Sequence, residues 1–362
     1  MPGANTLRRD ILEIDGPLAP AQRMLLRGLD ADAVRLFLSG ASVVDWQAVA
    51  FRSYDDVDRY LRTLLLDLDD PMDARRLRYV FNEAVSYLEE HLHLTFPAEL
   101  RSPGDVRDVF LWAGDQRGFR RTQVLACVVL KLMHVIHHME VADLRHRTPI
   151  SEAELIRLAH VRVTAKVREL TEAGLRVTAF YGSAKSRASV ITKLLSKAET
   201  IAATVFDKMR FRIVVPTAED LVPTISWMAR EMFPFNYVVP RESHNNLVTG
   251  EDLAPFLPDE TKEPQGDQPL VKPGNKNEHS GSSYRMINAV VEIPVRLPAS
   301  VRNEAHLGRV VFLLTEFQVV DEATARGNEA GDNAHHQYKY RQVAGVHRRL
   351  RRGGAARRPS EG

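Results

Sequence analysis

The sequence is poor in cysteine, in net charge and in long apolar runs. A single cysteine, Cys127, excludes an intramolecular disulfide framework and fits a reducing, cytoplasmic setting. A formal net charge of +2 argues against one strongly electrostatic partner as the main business of the chain. No uncharged run reaches the roughly 18 residues of a membrane-spanning helix. The opening MPGANTLRRDILEIDGP has no apolar segment of signal-peptide length, so no membrane association is expected. There is no internal repeat and no H-E-x-x-H metal motif.

What is present is a globular composition. With 44% hydrophobic and 27% charged residues over 362 positions, the chain has material for a proper core and for two domains. Residues 1–150 read as an all-helical region whose role the composition does not give. Stretches 31–38, 54–66, 73–92 and 123–141 carry apolar residues at helical spacing; Asp55, Asp73 and Thr122 stand near their starts, and Pro71, Pro97 and Pro103 punctuate between them. His134, His137 and His138 lie at i, i+3 and i+4 on one helix, with Glu140 and Asp143 near. Two histidines four apart can share a metal, but nothing completes a metal motif, and these side chains read as a helix–helix or interdomain contact. Ser151 and Glu154 form a capping box for a helix over 150–174 that ends at Gly174.

The chain is organised around residues 177–215. VTAFYG reads as a short strand closing on Gly182, KSRASVITKLLSKAETIA as a helix, and FDKMRFRIVV as a second strand stopped by Pro216. Helical geometry places Lys185, Ser189, Thr192 and Lys193 on one side and Val190, Ile191, Leu194 and Leu195 on the other, so the apolar side is expected to pack on a sheet. Two ammonium groups and two hydroxyls suit a polyphosphate; a solvated lysine face accounts for the same pattern. Asp207 opens the second strand, where a carboxylate suits Mg²⁺.

Further on, a helix is expected from Thr217 to Phe233 and a short strand over FNYVVP. A long aperiodic loop at 241–283 follows, then a strand YRMINAVVEIPVRL beginning at Tyr284. Tyr284 is placed to stack on a purine or to anchor the loop. In RVVFLLTEFQVV, Glu316 interrupts an apolar run. Period two puts Leu314, Glu316 and Gln318 on one face, and a carboxylate buried there needs a cation, a metal or a proton. Asp207 and Glu316 on neighbouring strands would make the acid pair that phosphoryl chemistry uses. Residues 321–342 read as helical and carry Glu329, His335, Tyr338 and Lys339. The basic tail at 346–362 reads as disordered and is a candidate for RNA contact.

Four of these blocks, in order over about 177–342, resemble the synthetase domain of the RelA/SpoT alarmone synthetases. YGSAKSRASVITKL resembles the family's Y-G-R-x-K-x-x-x-S-I-x-x-K, and FDKMRFRIVV its D-x-x-x-x-R-I-V strand. SSYRMINAVVEI resembles N-G-Y-x-S-I-H, and EFQVVDEATARGNEAGDNAHHQYK resembles E-I-Q-I-R-T followed by A-E-x-G and A-H-W-x-Y-K.

The resemblance implies an α+β fold over 151–345, a mixed sheet of about five strands flanked by helices, of the nucleotidyltransferase-like kind. It implies transfer of the β,γ-pyrophosphate of ATP to the ribose 3′-OH of a guanine nucleotide, with Mg²⁺. By matching position, Lys185 and Lys193 would bind ATP phosphates with Ser189 beside them, Arg212 would support the phosphates or the carboxylates, Asp207 would hold the metal, and Glu316 would activate the hydroxyl or complete the metal site. Tyr284 would stack on the acceptor base and His335 would support the acceptor side. The expected partners are nucleotide substrates and a second copy of the chain. The sequence departs from the family pattern at Ser183 and Val320, where the family has arginines, and at Asn288, where it has histidine. Losing two guanidinium groups removes bidentate phosphate contacts, which Arg187 is in sequence range to replace. Two alternatives therefore stand beside the first reading: the same transfer to an adenosine nucleotide or a tRNA 3′ end, and a catalytically inactive nucleotide-sensing module.

Overall fold

The computed structural model describes residues 29–39, 51–115, 120–196, 209–239, 242–257, 284–299, 305–329 and 335–352. Among them the chain begins with α1 (Leu29–Ser39), α2 (Tyr54–Thr63), α3 (Pro71–Leu92), α4 (Ala98–Arg101), α5 (Arg107–Gly114), α6 (Arg120–Arg147) and α7 (Glu152–Glu172). There follow β1 (Ala179–Ala184), α8 (Arg187–Ser196), β2 (Met209–Val215), α9 (Leu221–Trp227), β3 (His244–Asn245), α10 (Gly250–Leu253), β4 (Ile287–Arg296), β5 (Val310–Asp321), α11 (Glu322–Glu329) and α12 (His335–Arg352).

Helix starts follow their caps. Ser53 accepts from the Asp56 amide at α2, Asp70 from the Met72 amide at α3 with Pro71 in the first turn, and Ser151 from the Glu154 amide at α7. Gly174, at φ +85°, turns the chain out of α7 toward the sheet. The fold is α+β: a five-stranded mixed sheet in the order β1-β2-β5-β4-β3, flanked by helices and preceded by a helical region. Strands β2 and β5 run parallel, and the other neighbours run antiparallel.

The helical region has its own core, in which Val57, Leu61, Phe81, Leu88, Val109 and Leu130 are fully buried. Helix α6 is long and apolar enough, by length and composition alone, to cross a membrane; here its Ala126, Val129, Leu130 and Met133 lie in that core. Helix α1 departs from the grouping by sequence position: Ala31, Val34, Phe37 and Leu38 belong to the core of the sheet.

The two cores meet along a polar seam. Nη1 of Arg76 donates to Oε2 of Glu140 and to the carbonyl of His306, both at 2.5 Å, and Arg296 reaches Asp73 at 2.6 Å. His134, His137 and His138 sit on this seam. His137 Nδ1 is 2.9 Å from the Tyr237 hydroxyl, His134 Nδ1 is 3.2 Å from the Asn236 amide nitrogen, and His138 Nε2 is 2.6 Å from Glu292. Burial pushes His134 down to about 4 and His137 well below the usual imidazole range, while the hydrogen bond to Glu292 raises His138.

One face of the sheet carries an aromatic ladder. Phe180, Phe211 and Phe317 stack across β1, β2 and β5 with ring centroids 5.5 Å apart at each step, and Phe233 closes on Phe317 at 5.2 Å. Gly182 does not close β1 as its sequence position suggested. It lies within the strand, paired with Phe211, and a Cβ there would stand 2.6 Å from His160 Nε2 of α7.

Other expectations need correction. FNYVVP is not a strand: Phe235–Tyr237 forms a 3₁₀ turn, and Val238 makes one isolated bridge to Val291. The aromatic side chains of this segment are drawn into the seam, where Tyr237 packs on Phe312 at 4.4 Å. The apolar side of α8 does not pack on the sheet; α8 lies against α12, and Ile191 and Leu195 are exposed. The C-terminal segment stays helical to Arg352, past the expected boundary at 346; within it Val346 is buried while His347 and Arg348 face solvent. Of the long loop, 242–257 contains β3 and α10; 258–283 lies outside the described residues.

Candidate active site

The pleat that sends Phe211 and Ile213 into the core sends Arg210 and Arg212 to the opposite face, and Phe317 and Val319 do the same for Glu316 and Gln318. Register then aligns two polar rows across the strands. One runs Ser183, Arg210, Glu316, Val290; the next runs Tyr181, Arg212, Gln318, Asn288, His244.

Glu316 is 6% exposed, so its carboxylate depends on its neighbours. Nε of Arg210 donates to Oε2 at 3.0 Å, and Nε2 of Gln318 donates to Oε1 at 2.9 Å. A carboxylate offers about four acceptor positions, so each oxygen keeps capacity for one further donor. Arg210 was not among the residues singled out from sequence. The signal was available, since period two along MRFRIVV places Arg210 and Arg212 together, opposite the phenylalanine between them.

Arg212 faces the same way one row along. Its Nη1 is 3.6 Å from Oε1 of Glu329, while Nε and Nη2 are buried without a hydrogen-bond partner. Glu329 ends α11, whose buried neighbour Asn328 clips the chain leading into β4. The Arg285 amide donates to Asn328 Oδ1 at 3.0 Å, and Asn328 Nδ2 donates to the Arg285 carbonyl at 2.6 Å. That clip fixes the backbone beside Tyr284, whose own carbonyl accepts from Asn246 Nδ2 at 2.9 Å. His244, beyond Asn288, is lowered by burial, with Glu316 and Glu242 opposing the shift.

The remaining expected residues divide. Lys185 is half-buried in the link between β1 and α8, two residues past Ser183, the β1 partner of Arg210. Ser189 is engaged locally: its amide donates to Ser186 Oγ at 3.3 Å, and the two hydroxyls are 3.1 Å apart, which caps α8. Lys193 is half-buried in the last turn of α8, the helix that lies on α12. His335 opens α12; its side chain, like all of Asp207, lies outside the described residues.

Carboxylate oxygens are the donors that Mg²⁺ prefers. Among the described residues, however, this face offers Glu316 with a guanidinium against it, and no group of three or more potential metal ligands forms. The described residues do not by themselves fit a magnesium site.

No family model matches the chain, and no curated protein matches it. The solved structures that overlap it include small alarmone synthetase 2 from Bacillus subtilis, and small alarmone synthetase 1 from the same organism bound to its product pppGpp. The first is 15% identical with a TM-score of 0.30 and covers 56% of this chain and 96% of its own. The second is 15% identical with a TM-score of 0.29 and covers 61% of this chain and 93% of its own.

Proposed function

We propose that the polar face of the sheet is the active site of an ATP-dependent pyrophosphotransferase acting on the ribose 3′-OH of a guanine nucleotide. The observation that carries this is the buried Glu316, held from two sides by Arg210 and Gln318, one strand row from the partly unpaired guanidinium of Arg212. The four sequence blocks that resemble alarmone synthetases supply these strands and their flanks.

In the proposed step the 3′-oxygen attacks the β-phosphorus of ATP. An oxygen–Pβ bond forms, the Pβ–O bond to the α-phosphate breaks, and AMP leaves. The hydroxyl proton passes to the Glu316 carboxylate. Arg210 holds Glu316 in place while Arg212 and Lys185 offset charge on the phosphates, so the work is positioning and electrostatic stabilisation with no covalent enzyme intermediate. Magnesium enters with the donor, as the magnesium complex of ATP.

One observation favours a second reading. Both oxygens of Glu316 already accept a hydrogen bond from the protein, as expected of a carboxylate kept for structure in a nucleotide-sensing module. Incubating the protein with MgATP labelled in the γ-phosphate and, in turn, GDP, GTP, AMP, ADP, ATP or bulk tRNA separates the readings. Label on a guanine nucleotide supports the proposal. Label on another acceptor moves the specificity, and nucleotide binding without label on any acceptor supports the sensor.

A further inference from the structure

Among the described residues of the polar face, Arg212 is a cation with unmet hydrogen bonds. Its side chain is four-fifths buried, Nε and Nη2 have no hydrogen-bond partner, and the ion pair of Nη1 with Glu329 is long at 3.6 Å. The Glu329 side chain is 73% exposed, so solvent screens that pair and it holds Arg212 weakly. A buried guanidinium with two unpaired nitrogens has unmet donors that phosphate and carboxylate oxygens satisfy.

An opposite deficit lies in the same row. Asn288 is 6% exposed and its Oδ1 has no partner, while its Nδ2 makes one long bond of 3.4 Å to the Glu242 carbonyl. Gln318 stands between Arg212 and Asn288, and its amide is turned to Glu316. Two strand spacings separate the backbones of Arg212 and Asn288 by about 10 Å. A ligand that satisfies both presents anionic oxygens at one end and a hydroxyl or amino group at the other. Tyr284 precedes Arg285, which the Asn328 clip ties to the residue before Glu329, and an aromatic ring in that segment suits a base.

We propose that Arg212 is the seat of a nucleotide phosphate and that Glu329 is its stand-in. The Glu329 carboxylate occupies the guanidinium until a phosphate displaces it, and Asn288 accepts a hydrogen bond from a hydroxyl or amino group of the same nucleotide. The exchange swaps one anion for another at Arg212 and releases Glu329 into solvent, where most of it already lies. This deepens the proposed function and rests on its assignment of the face to nucleotides, though not on the transfer step.

The test is calorimetric titration of the full chain with inorganic pyrophosphate and with GDP. Glu329→Gln removes the competing carboxylate and is expected to tighten both ligands roughly three- to fivefold. Glu322→Gln, on the same helix and paired with Arg326 at 3.1 Å, makes the same change in net charge away from Arg212 and is expected to leave both affinities unchanged. Arg212→Gln is expected to weaken pyrophosphate on the order of tenfold or more, and Asn288→Ala to weaken GDP while sparing pyrophosphate. Unchanged or weaker binding in Glu329→Gln overturns the proposal, as does equal tightening in Glu322→Gln, which would mark a general field effect. No binding of either ligand to the unmodified protein also overturns it, whatever the transfer assay gives. Binding as expected with no transfer to any acceptor leaves the phosphate seat standing and removes the pyrophosphotransferase reading instead.

Discussion

Nε of Arg210 stands 3.0 Å from Oε2 of Glu316, on adjacent parallel strands and in direct register. The contact fixes the orientation of a carboxylate that is 6% exposed, and Gln318 fixes its other oxygen. If Glu316 receives the hydroxyl proton, Arg210 is a positioning residue. Arg210→Ala is expected to lower kcat on the order of tenfold while leaving the KM for ATP nearly unchanged, since a misplaced base costs rate more than binding. A fall in ATP affinity with kcat intact would assign Arg210 to the phosphates instead.

Glu316→Gln keeps the shape of the side chain and removes the base. Loss of a general base is expected to cost about 10²–10⁴ in rate. Equilibrium binding of ATP and GDP should persist, which scintillation proximity or calorimetry checks. Activity within a factor of two of the unmodified protein would remove Glu316 from the mechanism.

Gly182 is required by packing. The added Cβ of Gly182→Ala meets His160 Nε2 at 2.6 Å and Phe211 at 3.0 Å, under the aromatic ladder. Overpacking of this kind costs about 1–3 kcal/mol. Thermal unfolding of the variant should show a midpoint lower by several degrees; an unchanged midpoint would mean that α7 shifts freely on the sheet.

The seam histidines give stability a pH dependence whose sign follows from burial. His134 is lowered to about 4 and His137 is lowered further below its ordinary value, so between pH 6.5 and about 4 the unfolded chain binds more protons than the folded one. Stability should therefore fall as pH drops through that window, on the order of 2–3 kcal/mol from His134 alone. His138, raised by Glu292, works in the opposite direction: its contribution is present at low pH and is lost as pH rises through its folded value. It is partly exposed and only offsets part of the loss. Urea unfolding at pH 7 and pH 5 measures the difference. The double variant His134→Gln, His137→Gln should flatten it.

The order of elements and the strands that matter were legible from period-two and helical patterns. MRFRIVV and VVFLLTEFQVV each alternate around a buried phenylalanine, so their polar faces were readable before their pairing. The pairing itself was not: that Arg210 stands opposite Glu316 depends on a register set across a sequence separation of 106. FNYVVP misled because its apolar residues are buried by the helical region, and burial from two sides erases the alternation that separates a strand from a turn. The packing of α8 was hidden for another reason, since α12, the helix it lies against, comes about 150 residues later. The tail misled through composition, since an arginine-rich segment reads as unstructured unless the single burial of Val346 is known.

Pyrophosphoryl transfer, as distinct from phosphoryl transfer or hydrolysis, is tested most directly with ATP labelled in the β-phosphate. The protein, MgATP and the acceptor that takes γ-label are incubated, and the AMP released is counted against β-label on the acceptor. The account predicts equal amounts of the two, both lost in Glu316→Gln. ADP in place of AMP, or acceptor free of β-label while the protein binds nucleotide, would contradict it.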